Sequence, residues 1–260
     1  MPYFLHKKKN IHYKNEGSGE VVVLLHGFLE NLSMWDEVAD ELSKTRQVIR
    51  VDLPGFGKSD WIEEVHSMEL FTACVYQILL ELKVDKFTLI GHSMGGYVSL
   101  ALLEMYSDKI EHICLFHSTS NADSEEKKSG RDRAIKTLKD KQNVYLKTAI
   151  PFLFPKQFQE ACKAQIQKMI AAAKSLNPNG ISAALKGMQQ RKDANQSLKD
   201  FSGKKTYIAG TLDSLLSINA LRQEALNNGA NFLEIEQAGH MSHWENPKMA
   251  IEVIQKVLCR

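Results

Sequence analysis

The chain of 260 residues has only four cysteines, Cys74, Cys114, Cys162 and Cys259, and none form a C-x-x-C pair. That scatter argues against a disulfide framework or a cysteine metal site and points to a reducing compartment, the cytoplasm being the simplest. Cys74 and Cys114 sit inside apolar patterns and read as core residues. No apolar run approaches the roughly 20 residues of a membrane span, so no membrane insertion is expected. The opening MPYFLHKKKN lacks the apolar core of a signal peptide. Excess charge is missing too. With 33 basic and 31 acidic residues the formal net charge is +2, which gives no electrostatic argument for nucleic acid as a partner. Lys7-Lys8-Lys9 reads as part of a solvated terminal strand. Nothing in the sequence speaks to oligomeric state.

What is present is an ordinary globular composition, 43% hydrophobic and 25% charged, with length for one large domain or one domain carrying an insertion. Strand-like runs occur at Phe4–Tyr13, Val21–Leu25 and Gln47–Val51. A helical pattern follows near Leu70–Leu82, then the short apolar strand Phe87–Ile90, a helix over Tyr97–Met105 and the strand Ile113–Phe116. Such alternation argues an α/β domain with a mostly parallel sheet. From about Ser118 to Asp200 no buried strand is legible. That segment reads as helical, with stretches at Glu160–Lys174 and Ile181–Gln190, and two prolines are expected to bar a regular helix from Ile150-Pro151-Phe152-Leu153-Phe154-Pro155. The rhythm resumes with strand Thr206–Ala209, helix Leu215–Asn227, strand Phe232–Ile235 and helix Pro247–Leu258. The expected organisation is a sheet core over 1–117 and 201–260 with a helical cap inserted at 118–200.

The stretch Ile90-Gly91-His92-Ser93-Met94-Gly95-Gly96-Tyr97 places a serine between glycines, after a strand and before a helix. Glycine on each side lets the backbone turn where a side chain would clash. In that context G-x-S-x-G is a nucleophile elbow. A serine hydroxyl needs a base to take its proton, and the base needs a third group to fix its tautomer. Asp213, just past the strand ending at Ala209, is the candidate acid; its competing role is helix capping. His240, after the next strand, is the candidate base. His243 is a nearby decoy, and the pair His240 and His243 lacks the further ligands a metal site needs, so no metal is expected. His92 and His26 read as structural. The backbone N–H groups of Phe28 and Met94 are the candidate oxyanion donors, with Gly27 permitting the tight turn before Phe28.

His26-Gly27-Phe28, Val51-Asp52-Leu53-Pro54-Gly55-Phe56-Gly57-Lys58-Ser59, Gly91-His92-Ser93-Met94-Gly95-Gly96, Gly210-x-x-Asp213 and Gly239-His240 occur in the order found in α/β-hydrolases. The chain resembles that superfamily over nearly its whole length. The resemblance implies an eight-stranded sheet with helices on both faces, a cap after the sixth strand, and a turn-motif role for Asp52. Epoxide hydrolases and haloalkane dehalogenases carry aspartate at the elbow; here the residue is Ser93, so acyl transfer is expected. The leading expectation is a serine esterase, free of cofactors, that cleaves a carboxylic ester or related small acyl compound through an acyl-enzyme. Enol-lactone hydrolysis, carbon–carbon bond hydrolysis and perhydrolysis use the same triad. A ligand receptor on the hydrolase fold is the reading from another class, and multiple turnover would separate it.

Overall fold

The structure, a computed structural model, describes residues 2–259. Eight strands form one sheet: β1 (Tyr3–His6), β2 (Lys9–Glu16), β3 (Val21–Leu25), β4 (Gln47–Val51), β5 (Phe87–His92), β6 (Ile110–Phe116), β7 (Lys204–Gly210) and β8 (Asn231–Ile235). Their order is β1-β2-β4-β3-β5-β6-β7-β8, antiparallel for the pairs β1·β2 and β2·β4 and parallel for the rest. The helices are α1 (Asp36–Leu42), α2 (Met68–Glu81), α3 (Met94–Tyr106), α4 (Glu125–Phe152), α5 (Lys163–Lys174), α6 (Pro178–Gln190), α7 (Asn195–Asp200), α8 (Ile218–Asn227), α9 (Ser242–Glu245) and α10 (Pro247–Leu258).

The continuous apolar run of β3 follows from burial on both faces. Side chains alternate along a strand. Val23 and Leu25 thus join the core formed with α2, α3 and α8, while Val22 and Leu24 join the one formed with α1 and α10. This is the fold class the sequence pattern implies. At the amino end the expected single strand is a hairpin. Lys7 and Lys8 turn the chain with φ of 48° and 67°, a conformation that hydrophobic patterning does not register. Helix α3 starts at Met94, ahead of the expected Tyr97, because Gly95 and Gly96 contribute nothing to an apolar period.

Between β6 and β7 the described residues form helices α4 to α7 and no strand. The expectation for Ile150–Pro155 needs correction, since Ile150, Pro151 and Phe152 form the end of α4. The main break in α4 lies instead at Lys141, with φ of −147° and ψ of 59°. These helices have their own core, in which Leu138, Leu146, Ile150, Phe154, Ile166 and Met169 pack onto Leu29 and Met241 of the sheet domain. Helix α6 docks through its glycines. A Cβ on Gly180 would crowd Gly55, and one on Gly187 would run into the His66 carbonyl. The His66 N–H donates to the Ala183 carbonyl at 3.0 Å across the same seam. No helix among the described residues is long and apolar enough to cross a membrane.

Candidate active site

Ser93 occupies the single residue between β5 and α3, with φ of 50° and ψ of −113°. A non-glycine residue in that conformation is strained and persists only where its surroundings over-determine it. They do so here. The Ser93 N–H donates to the Phe116 carbonyl at 3.0 Å, and the Gly96 N–H donates back to the Ser93 carbonyl at 2.9 Å. The flanking glycines are required by close approach: a Cβ on Gly91 would meet the Gly95 carbonyl, on Gly95 the Leu25 carbonyl, and on Gly96 the Ser118 side chain.

Asp213 and His240 are brought together from loops after β7 and β8. His240 Nδ1 lies 2.8 Å from Asp213 Oδ2, both side chains being buried. The other oxygen of Asp213 accepts the N–H groups of Leu215 at 2.8 Å and Leu216 at 3.1 Å. Asp213 therefore organises its own loop, and the cap of α8 is Ser217. Burial works against the Asp213 anion, but the charge and hydrogen bonds of His240 and His117 outweigh it and hold the carboxyl well below its ordinary value. The structure gives no hydrogen bond between the Ser93 hydroxyl and His240 among the described residues. Such bonds often tighten only around substrate.

Three residues beyond the sequence reading complete this neighbourhood. His117, at the carboxyl end of β6 with φ of 48°, places Nδ1 3.3 Å from Asp213 Oδ2 and Nε2 2.6 Å from Ser242 Oγ. The Gly210 N–H also lies 3.3 Å from that Nδ1, so the ring's tautomer decides whether it supports the carboxylate or the end of β7. Burial lowers His117 to about 4, which leaves the ring neutral. Glu245 brackets His240, accepting the N–H of Gly239 on one side and of Met241, at 3.4 Å, on the other. Burial raises its carboxyl to about 7. Glu30 accepts the Gly27 N–H at 2.5 Å and lies 2.9 Å from His92 Nδ1. The position of His117 directly after a buried strand was the one available signal. Glu30 lies in a loop and Glu245 at the end of the one-turn helix α9, where sequence carries no mark of burial.

The N–H groups of Phe28 and Met94 have no acceptor among the described residues, Met94 being the first residue of α3. His26 holds the Phe28 loop, with Nδ1 2.7 Å from the Gly27 carbonyl and Nε2 accepting the Leu53 N–H at 2.9 Å. Asp52 accepts the N–H groups of Leu32 at 2.7 Å and Lys58 at 2.9 Å and pairs with His12, a structural task. His243 is buried beside Trp35 and Trp244, and neither of its ring nitrogens has a partner among the described residues. It does not share a ligand set with His240. The group that could surround an ion is His117, Asp213 and His240. Its atoms are at hydrogen-bond separations, and Asp213 Oδ1 is already taken by backbone donors, so hydrogen bonding accounts for the cluster. A cavity of about 280 Å³ lies beside α1, α5 and α10, lined by Glu30, Gln165, Lys168, His243 and Trp244 among others, but not by Ser93 or His240.

The fold is shared with known proteins. The family model described as the alpha/beta hydrolase fold matches residues 20–247. A 2-hydroxy-6-oxononadienedioate/2-hydroxy-6-oxononatrienedioate hydrolase of Paraburkholderia phymatum is 26% identical over 91% of this chain and 86% of its own length. A thermophilic esterase from Thermogutta terrifontis superposes with a TM-score of 0.91 at 28% identity, covering 96% of this chain and 93% of that one. The enol-lactonase of Burkholderia xenovorans superposes equally well, TM-score 0.91, at 23% identity over the whole of both chains, a likeness of fold. Some curated relatives match only in part: the chain spans 30% of the length of uncharacterized Mycobacterium tuberculosis proteins to which it is 28% identical over 103 residues. With the sheet order and the family match agreeing over most of its length, the chain belongs to the alpha/beta hydrolase fold family.

Proposed function

We propose that the protein is a serine hydrolase cleaving a carboxylic ester or related acyl compound through an acyl-enzyme on Ser93. The observation that carries this reading is the buried Asp213–His240 pair, 2.8 Å apart, with the His240 carbonyl bonded to His92, the residue before the strained Ser93. Asp213 holds the Nδ1 proton of His240, so Nε2 is the nitrogen left to act as base. Ser93 Oγ attacks the acyl carbon and its proton passes to Nε2. The N–H groups of Phe28 and Met94 receive the oxyanion. The alcohol leaves with the proton from Nε2, and water, deprotonated at the same nitrogen, releases the acid. No cofactor enters these steps. Three of the four free cysteines are buried, which suits a reducing compartment such as the cytoplasm.

A second reading, hydrolysis of a carbon–carbon bond next to a ketone, is favoured by the dienedioate hydrolase that matches most of the chain. An aryl and alkyl ester series, a lactone series and a vinylogous diketone, each assayed with wild type and Ser93→Ala, separate the two. Multiple turnover of esters lost in Ser93→Ala supports the esterase, and turnover confined to the diketone supports the second reading. Acid release that stops after one equivalent would instead mark a receptor on the hydrolase fold. A fluorophosphonate probe should label Ser93 in the wild type, and labelling undiminished in Ser93→Ala would sink the nucleophile assignment.

A further inference from the structure

Glu30 and His92 form a buried pair that the acyl-transfer steps above do not use. Both side chains are about 1% exposed, and His92 Nδ1 lies 2.9 Å from Glu30 Oε2. The same oxygen accepts the Gly27 N–H at 2.5 Å, in the loop whose next residue is Phe28. At its other end, His92 Nε2 lies 2.9 Å from the backbone carbonyl of His240. His92 is itself the residue before Ser93. One two-residue bridge thus touches the oxyanion loop, the nucleophile turn and the His240 loop, three of the four segments that acyl transfer uses.

The partners dictate where the protons sit. A carbonyl oxygen only accepts, so Nε2 must carry a hydrogen. Glu30 Oε2 already accepts from Gly27, and an ionised carboxylate only accepts, so Nδ1 carries one as well. The ring is then an imidazolium facing a carboxylate. Burial opposes both charges, but the Glu30 anion raises His92 above its ordinary value, and the charge and hydrogen bond of His92 lower Glu30. The rings of His240, His243 and His117 stand 5.0, 5.2 and 5.9 Å from that of His92, and the charge of Asp213 also favours the imidazolium. A buried ion pair of this kind is poor evidence of stability, because desolvation consumes much of its attraction. What it does supply is fixed geometry.

We propose that the buried Glu30–His92 ion pair is a positioning device for acyl transfer, holding the oxyanion loop and the His240 loop in register with Ser93. The proposal rests on the serine-hydrolase reading. Glutamine at position 30 cannot replace the carboxylate. Its oxygen at the Oε2 site would leave the imidazolium without a counter-charge, and its amide there would oppose the Gly27 N–H. The two arms can also be cut separately, since an asparagine amide at position 92 mimics Nδ1 and a glutamine amide mimics Nε2.

The experiment measures kcat and KM on an aryl ester, per active site titrated with fluorophosphonate, for Glu30→Gln, His92→Asn and His92→Gln. Titration removes unfolded protein from the comparison. A displaced donor or base of about 1 Å costs up to roughly 100-fold, so each variant is expected to lose roughly 10- to 100-fold in kcat with little change in KM. Wild-type kcat per site with only a lower melting temperature would overturn the proposal, since that is the result of a packing role. If the variants do not fold, ¹⁵N NMR of the unsubstituted protein decides: His92 must carry two ring protons at neutral pH, and a singly protonated ring overturns the ion pair. Failure of the serine-hydrolase reading looks different. Wild type would then not take the probe at Ser93, while the NMR result would still report the state of His92.

Discussion

A histidine buried with two unpartnered nitrogens destabilises the fold it sits in, and His243 is such a residue. Burial, together with the charges of His92, His117 and His240, pushes it well below its ordinary value, so it is neutral and contributes no charge to the site. His243→Leu is therefore expected to hold or raise the melting temperature and to keep turnover near that of the wild type. His240→Ala should abolish turnover with its fold intact by circular dichroism. Were the two phenotypes exchanged, His243 and not His240 would be the base. Asp213→Asn is the sharper test of the acid. An amide cannot hold His240 in the same tautomer, and the expected loss is on the order of 10⁴ in kcat. Retention of more than a tenth of wild-type turnover would show that the Asp213 anion is not what orients His240.

At the scale of elements, the helical segment between β6 and β7 is where substrate choice is expected to reside, and its packing separates two phenylalanines that sequence treats alike. Phe152 is 62% exposed, so Phe152→Ala should change stability by no more than about 0.5 kcal/mol. Phe154 is 1% exposed and stacks on Trp244 with ring centroids 6.2 Å apart, so Phe154→Ala should cost about 3–5 kcal/mol. Urea unfolding of the two variants checks both numbers. Of these two phenylalanines only Phe154 can help to wall a substrate pocket, since its core includes Leu29 and packs against Phe28. A changed preference between short and long acyl chains in Phe154→Ala would support that role. Docking of α6 gives a further test. Gly187→Ala places a methyl against the His66 carbonyl, and limited proteolysis should then cut the helical segment faster than in the wild type. Equal protection in both proteins would show that the seam yields without cost.

For the whole molecule, histidine burial sets the response to acid. His26, His66, His112, His117 and His243 are all lowered, chiefly by burial, with His66, His112 and His117 at about 4. The unfolded chain takes up these protons as pH falls through 6.5, whereas the native state does not until about 4. Stability should therefore fall between those values, by roughly 1.4 kcal/mol per pH unit for each proton. Glu245, raised to about 7 by burial, works in the opposite sense, since its contribution is lost as pH rises from 4.5. Glu30 and Asp213, both lowered, contribute stability above their ordinary values and lose it as pH falls through their folded ones. His92, being raised, contributes fully below 6.5 and loses that contribution as pH rises through its folded value. The histidines outnumber the opposing glutamate. The urea midpoint should drop steadily from pH 6.5 to 4, and a flat or rising midpoint would contradict the burial of these rings.

The sequence by itself determined the alternation of strand and helix, the parallel class of the sheet and the candidates Ser93, Asp213 and His240. Those features are local: apolar runs have a period, and glycines cluster where backbone must approach backbone, as Gly91, Gly95 and Gly96 do around Ser93. The hairpin at Lys7 and Lys8 escaped because a left-handed turn leaves no hydrophobic trace. The helical end at Pro151 escaped because proline removes only one hydrogen bond and α4 was about to stop. Only the tertiary structure decided which polar residues are buried and against what. Glu30 meets His92 across 62 positions, His117 meets Asp213 across 96, and His92 reaches the His240 carbonyl across 148. No periodicity spans such separations. They arise because a parallel sheet delivers the ends of distant strands to one edge, where burial leaves charged groups no partner but one another.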